Sequence, residues 1–425
     1  EFFMDGIKRD RWTWSGDAIQ SYLMNYYLRF DSEAVKRTIR QLRGKDPVTA
    51  HVNTILDYTF YWFNSLADYF RYTGDAAFIA EMYPRAKTLM DYTLGRLSDD
   101  GLAIGQPDDW VFVDWVDFPM HKRGILSFEQ MLLIRSLRTM QMCAALVGDA
   151  DADRYATLAA DVQQKTDQLF WDDAQKAYLH ALEDPHPTSP RGGDCPEESR
   201  FVLNRQITKF PNMMAILYGV ADADRAQEIL DNVMQNPDVP AITTPYMRFY
   251  ELAALCQLGL QADVLPEIKA YWGGMLRNGA TSFWEKYVPE DEPSANEKNA
   301  GFMADGIVPS PKAPHLEMYG RPYGKSLCHA WGASPIYLIG RYFLGVEPLQ
   351  PGYISADGKA AWTARPTLGG LAWMRGDVPT PFGPIHIEMD GQRLTVTAPN
   401  GIGRGEIRVA GKSATIEAGQ TVTLT

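Results

Sequence analysis

The chain is poor in cysteine and histidine, has no excess of basic residues and contains no long hydrophobic run. Its four cysteines, Cys143, Cys195, Cys256 and Cys328, lie far apart with no metal-type spacing. In a chain of 425 residues they read as free thiols rather than a disulfide framework. That favours the cytoplasm and leaves the periplasm open. The seven histidines are dispersed, with no His-x-x-x-His pair, so no metal or other cofactor is expected. Lys and Arg number 41 against 53 Asp and Glu, a net charge of −12, which argues against nucleic acid or an anionic membrane as partner. No uninterrupted apolar stretch is long enough for a transmembrane helix. Aromatic residues, by contrast, are plentiful: 11 Trp and 21 Tyr, used for the core and, in loops, as flat faces for ring-shaped ligands.

From Asp17 to about residue 345 the apolar spacing is helical, as in Ile55, Tyr58, Thr59, Trp62, Phe63, Leu66, Tyr69 and Phe70. Helix ends carry a repeated signal, a Gly followed by a polar helix start: Thr73-Gly74-Asp75, Val147-Gly148-Asp149, Gly219-Val220-Ala221-Asp222 and Leu258-Gly259. Gly suits the left-handed position past a helix end, and Asp suits the next N-terminus. Short links of this kind make antiparallel helix pairs, and this many pairs predict an α/α toroid. A solenoid is the alternative, but no repeat of fixed period supports it. In a toroid, the loops Gly105–Gly124 and Tyr287–Gly324 would line a central cavity. After Gly345 the pattern changes to short alternating segments, Ile385–Met389, Arg393–Thr397 and Glu406–Val409, separated by Asp390-Gly391, Asn400-Gly401 and Ala410-Gly411. These read as strands of a small antiparallel β-sandwich. The expected division is 1–345 helical and 346–425 β.

Four segments carry chemistry. Met4 to Asp17 packs Asp5, Asp10, Asp17, Arg9, Arg11, Trp12 and Trp14 into one loop and helix start, with Ser15 as the expected cap. Carboxylates to move protons, aromatic faces to hold a ring and arginine to orient both are what sugar cleavage needs; a structural salt-bridge cluster explains the same residues equally well. Asp17 falls in the first helical turn, where the dipole favours its ionised form. The second segment, Thr281-Ser282-Phe283-Trp284-Glu285, offers one carboxylate. The third, Ser326 to Ala333, contains His329 and Trp331. The fourth, Asp108 to Trp115, includes Asp114 and Trp115 and suits a hydroxyl-rich ligand or a buried structural loop.

Together these segments resemble the inverting α-L-rhamnosidases of glycoside hydrolase family 78. Their opening pattern, Asp-Gly-x-x-Arg-[Glu or Asp]-Arg followed by Trp-x-Gly-Asp, is met by Asp5, Gly6, Arg9, Asp10, Arg11, Trp14, Gly16 and Asp17. A second signature corresponds to Ala280–Glu285, and a third to His329, Trp331 and Gly345–Pro348. Gly376–Gly383 is similar to the family's C-terminal sandwich. The resemblance implies an (α/α)6 barrel followed by an antiparallel β-sandwich, with further β-domains upstream of a chain that opens inside its richest motif. It implies Asp10 as general acid and Glu285 as general base. Asp5, Arg9, Trp14, Asp17, Asp114, Trp115, His329 and Trp331 would bind rhamnose. The implied partner is a rhamnose-containing glycoside or oligosaccharide, and a homodimer fits the architecture.

Two departures stand out. Many members carry Glu where this chain has Asp10, one methylene shorter. The interval from Glu285 to His329 spans 44 positions, with Glu290-Asp291-Glu292-Pro293 and Pro309-Ser310-Pro311 inside it, and would cap the site or select the leaving group. Two rival readings remain at this point. One is a polysaccharide lyase using Tyr246 and His329; the other is a carbohydrate-binding protein without catalysis.

Overall fold

The computed structural model describes residues 2–7, 10–183, 201–287 and 326–425. Ten helices come first: α1 Ser15–Tyr26, α2 Ser32–Leu42, α3 Leu56–Thr73, α4 Ala76–Leu94, α5 Ser127–Val147, α6 Asp151–Phe170, α7 Lys209–Leu217, α8 Ala223–Ile229, α9 Pro245–Gln257 and α10 Gln261–Arg277. A short helix, Pro335–Leu338, runs on into a π turn, Ile339–Phe343. Helices α1, α3, α5, α7, α9 and Pro335–Leu338 touch in succession, and the last returns to α1, closing a ring. The even-numbered helices pack outside it. Burial follows this order. Every residue of α1 is buried, whereas the outer α2 buries only Ala34, Val35, Thr38 and Ile39. A helix apolar on all sides belongs inside, and a one-sided helix belongs on the rim. The expected (α/α)6 barrel is therefore present, and among the described residues no helix is long and apolar enough to cross a membrane.

The Gly signals stop helices as expected. Gly74 and Gly148 follow α3 and α5 in left-handed conformation, and Asp75 and Asp222 cap the next helices through Phe78 N–H and Arg225 N–H. Ser15 departs from expectation. Trp14 holds the cap position without a side-chain bond, and the Ser15 N–H instead donates to Asn53 Oδ1 at 3.0 Å. A distant side chain has taken over the local capping role.

A small sheet interrupts the helices and was not legible in the sequence. Strand β3 (Ala177–Glu183) pairs antiparallel with β1 (Ile125–Leu126), β2 (Trp171–Asp172) and β4 (Val202–Ile207). Two four-stranded sheets form the C-terminal part. One has the order β11-β10-β6-β5 (Lys412–Ile416, Gly405–Val409, Trp362–Ala364, Val346–Pro348). The other is β12-β9-β8-β7 (Thr421–Leu424, Leu394–Thr397, Ile385–Asp390, Trp373–Val378). All their pairings are antiparallel except β6 with β10, which runs parallel. The sandwich meets the ring through a buried hydrogen bond, Tyr27 Oη to Val346 O at 2.8 Å, and through part-buried ones in which Glu347 accepts from Arg71 at 2.9 Å and Arg341 at 3.2 Å.

One buried acid stands apart in the ring. Glu129, in the first turn of α5, is 1% exposed, and its carboxyl oxygens have no hydrogen-bond partner among the described residues. Burial, reinforced by the Asp57 charge, pushes it well above the ordinary Glu range. A folded-state pKa raised in this way contributes stability below the unfolded pKa and loses it as pH rises. Glu129→Gln is therefore expected to match wild type in thermal melts near pH 4 and to exceed it by about 2 °C or more at pH 8. A variant that melts lower at pH 8 contradicts this account.

Candidate active site

The N-terminal ends of α1 and α3 meet at the pocket through Asp17, Ile55 and Tyr58, where helix dipoles favour negative charge. The opening segment is tied there by backbone. Gly6 bridges His329 in antiparallel fashion, Ala330 N–H donates to Asp5 O at 2.6 Å, and Asp5 N–H donates to Trp12 O at 2.9 Å. Asp5 Oδ1 accepts from Gly6 N–H at 2.8 Å and Trp12 N–H at 2.9 Å, so Asp5 knots the loop that projects Asp10. Gly6 is needed for close approach, because a Cβ there would sit 2.1 Å from Asp10 Oδ2. Glu285 is held from three sides. Its N–H donates to Ser326 O at 2.9 Å, its Oε2 accepts from Ser326 N–H at 2.8 Å, and its carbonyl accepts from Trp331 Nε1 at 2.8 Å.

A pocket of about 500 Å³ opens between these groups, lined by Asp5, Asp10, Asp17, Glu285 and His329, by Trp14, Trp110, Phe112, Trp115 and Trp331, and by Ile55 and Tyr58. Polar groups converging on aromatic walls are the usual make-up of a small-ligand site. His329 stands between two acids. Its Nδ1 lies 2.8 Å from Asp10 Oδ2 and its Nε2 lies 3.1 Å from Asp17 Oδ1, with its ring 4.4 Å from that of Trp331.

The electrostatics divide the acids. Burial alone would lower the His329 imidazole, but its hydrogen bonds to Asp10 and Asp17, with the Asp17 and Glu285 charges, raise it to about 9. Burial alone would raise Asp10, but hydrogen bonds from His329 and Ser326 outweigh it and hold that carboxyl well below the usual range. Burial pushes Asp5 up to about 6, against the backbone donors on its Oδ1. Asp17 corrects an expectation. It sits in the first turn of α1 as read, but burial raises its carboxyl despite the His329 and Tyr58 hydrogen bonds. Desolvation of a fully buried carboxylate outweighs the dipole term there.

Asp5, Asp10 and His329 form one group with ligand atoms within 4.8 Å of one another. Imidazole coordinates metal through an unprotonated nitrogen, and here both ring nitrogens are engaged with carboxylates that favour the protonated ring. The set fits proton storage better than a cation.

Nine of the ten site residues read from the sequence lie among the described residues; Arg9 lies outside them. Asp5, Asp10, Trp14, Asp17, Trp115, Glu285, His329 and Trp331 meet at the pocket. Asp114 does not. It is buried off the pocket lining, accepting from Thr244 Oγ1 at 2.6 Å and Trp115 N–H at 2.8 Å, bonds that tie the loop in place. Four further residues line the pocket: Trp110 and Phe112, which belong to the Asp108–Trp115 segment singled out in the sequence, and Ile55 and Tyr58, which the sequence shows only as apolar positions of helical spacing. Of the loops expected to line the cavity, Gly105–Gly124 supplies Trp110, Phe112 and Trp115; nearly all of the other, from residue 288 onward, lies outside the described residues.

Residues 1–342 match the family described as the bacterial alpha-L-rhamnosidase six-hairpin glycosidase domain. Comparison with curated proteins found no match. Among solved structures, a GH78 family rhamnosidase of Bacillus sp. GL1 superposes with a TM-score of 0.71 at 25% identity, over 94% of this chain and 39% of that one. A rhamnosidase from Klebsiella oxytoca with rhamnose bound gives 0.61 at 26% identity, over 80% of this chain and 60% of that one. An α-L-rhamnosidase of Streptomyces avermitilis complexed with L-rhamnose shares the fold, with a TM-score of 0.66 at 16% identity over 99% of this chain and 39% of that one. The chain thus spans 39% to 60% of these relatives' lengths. With motif order, closed helical ring and pocket in agreement, the chain belongs to the bacterial α-L-rhamnosidase six-hairpin glycosidase family.

Proposed function

We propose that this chain hydrolyses terminal α-L-rhamnosides with inversion, with residues 1–345 as the catalytic part, Asp10 as general acid and Glu285 as general base. The observation that carries the reading is the single pocket in which the Asp10–His329 pair and Glu285 share aromatic walls. The Asp10–His329 pair holds one proton across the neutral range, because His329 loses it only at about 9. That proton passes through the Asp10 carboxyl to the glycosidic oxygen as the C1–O bond breaks. Glu285 takes a proton from water as the water oxygen bonds to C1 on the opposite face. Inversion needs room for this water, with carboxyls roughly 6.5–9.5 Å apart. Asp5 and Asp17 add negative charge beside the oxocarbenium-like transition state. Trp14, Trp115 and Trp331 supply the ring faces. Rhamnose is the sugar bound in the Klebsiella and Streptomyces structures, and it is the sugar assigned to this pocket.

One observation favours a second assignment within this mechanism. Asp5, raised to about 6, has the more acid-like carboxyl in the free site and would be the proton donor if Asp10 only stores charge. The lyase reading is disfavoured because Tyr246 is fully buried against the Trp331 and Phe112 rings and both ring nitrogens of His329 are engaged by Asp10 and Asp17.

The test is rhamnose release by the purified chain from an aryl α-L-rhamnopyranoside, alongside other aryl glycosides and a uronate polymer. Release from the rhamnoside alone is expected. Preferential cleavage of another glycoside, or unsaturated uronate products, would overturn the reading. Activity should also fall as pH rises through about 9, where the pair loses its proton; a rate still rising above pH 9.5 contradicts the assignment.

A further inference from the structure

The aromatic wall formed by Trp110, Phe112 and Trp115 stands on a turn that the backbone disfavours. Asp114 N–H donates to Phe112 O at 2.7 Å, closing a three-residue turn around Val113, which has φ +54°. A β-branched residue rarely adopts positive φ, and a turn of this hand is strained. Such strain persists only where surrounding groups over-determine it. Here two groups outside the pocket lining do so. Asp57, in the first turn of α3, accepts from Phe112 N–H at 3.1 Å and Val113 N–H at 3.0 Å. Lys122 donates to Phe112 O at 2.6 Å and Asp114 O at 2.5 Å. Together they hold the donors and the acceptors of one turn from opposite sides. Further along, Asp117 accepts from Thr243 Oγ1 at 2.6 Å and from Lys286 Nζ at 2.8 and 2.7 Å. This joins the same loop to the residue after Glu285.

We propose that Asp57 and Lys122 are positioning residues that clamp the Val113 turn, fixing Trp110, Phe112 and Trp115 in the arrangement that receives the apolar face of a deoxyhexose. The sugar class rests on the rhamnoside reading; the clamp does not. Neither residue touches substrate. Their contribution is pre-organisation, which lowers the ordering cost of binding. Because the wall holds the sugar in ground and transition states alike, its loss falls on KM rather than kcat.

Two variants test this. Lys122→Met removes one arm of the clamp. Val113→Gly relieves the strain and gives the turn alternative conformers, but it also deletes a side chain that is 0% exposed, so it melts lower than wild type and Lys122→Met, which leaves that packing in place, is the cleaner test. In both, the Phe112 and Val113 amides are expected to exchange with solvent at least about tenfold faster than in wild type, a measurement that needs no sugar. If the binding-competent turn falls to about a tenth of the population, KM for an aryl α-L-rhamnoside and Kd for L-rhamnose by tryptophan fluorescence each rise about tenfold. kcat stays within about twofold in Lys122→Met. Unchanged amide exchange in both variants overturns the clamp. Faster exchange with unchanged KM and Kd overturns its role in binding. Wild-type protein that neither binds nor cleaves rhamnosides counts against the rhamnoside reading and the sugar class, while the exchange comparison still decides the clamp.

Discussion

Glu285→Gln is expected to lower kcat on an aryl α-L-rhamnoside by about 10²–10⁴, the range of a positioned general base, with little change in KM. Gln keeps the size of the side chain and an oxygen that can accept from Ser326 N–H, the bond that orients the carboxyl in wild type. Trp331 still donates to the main-chain carbonyl. The substitution therefore removes proton acceptance while leaving the architecture in place, and near-ultraviolet circular dichroism should be unchanged. Azide added to Glu285→Ala should restore turnover and yield the β-L-rhamnosyl azide, because a small anion can occupy the water position without needing a base. Turnover within about tenfold of wild type in Glu285→Gln would remove the residue from the mechanism.

Asp10→Asn should cost as much, about 10²–10⁴, but only where the leaving group needs a proton. On a rhamnoside of a simple alcohol the full loss is expected. On a rhamnoside of a strongly acidic phenol, which departs as its anion, most of the loss should vanish. That leaving-group dependence separates Asp10 from Asp5. Asp5 is tied by two main-chain donors and raised to about 6. In its assigned role of holding sugar, Asp5→Asn weakens all rhamnosides alike. If the leaving-group dependence appears in Asp5→Asn and not in Asp10→Asn, the two roles exchange. The pair also bears on stability. His329, raised above its unfolded value of 6.5 to about 9, contributes stability that is complete below pH 6.5 and is lost as pH rises through 9. Asp10→Asn removes one of its two anionic partners and should flatten that part of the stability profile.

Much of the site was legible from its residues taken together. Asp5, Asp10 and Asp17 in one short loop, Glu285 after a Trp, and His329 two positions before Trp331 are each ambiguous alone, and it is their order along the chain that matches one family's motifs. The ring brings them together across more than 300 positions of sequence, as in the His329–Asp10 contact. Tyr58 and Ile55 were read only as part of α3's apolar period. Periodicity reports that a side chain faces inward, and at the end of an inner helix inward means the pocket as well as the core. The Asp108–Trp115 segment is legible as an aromatic, ligand-facing loop, but which of its rings face the cavity depends on the Val113 turn, which no spacing rule encodes. Asp114 lies off the pocket lining because its side chain answers to Thr244, 130 residues away. The capping role given to Ser15 failed for the same reason, since Asn53 reaches it from another segment. The parallel pairing of β6 with β10 rests on non-local contacts, and the two-residue strands β1 and β2 are too short to leave a pattern.

The account turns on the stereochemistry at C1, and proton NMR of the reaction reads it directly. An aryl α-L-rhamnopyranoside would be mixed with enough protein to finish within minutes, before the released sugar mutarotates. The account predicts β-L-rhamnose as the first product, its signal giving way to the equilibrium mixture only later, and none with Glu285→Gln. α-L-Rhamnose appearing first would contradict it, because retention requires a covalent or substrate-assisted route in which Glu285 does not activate the attacking water.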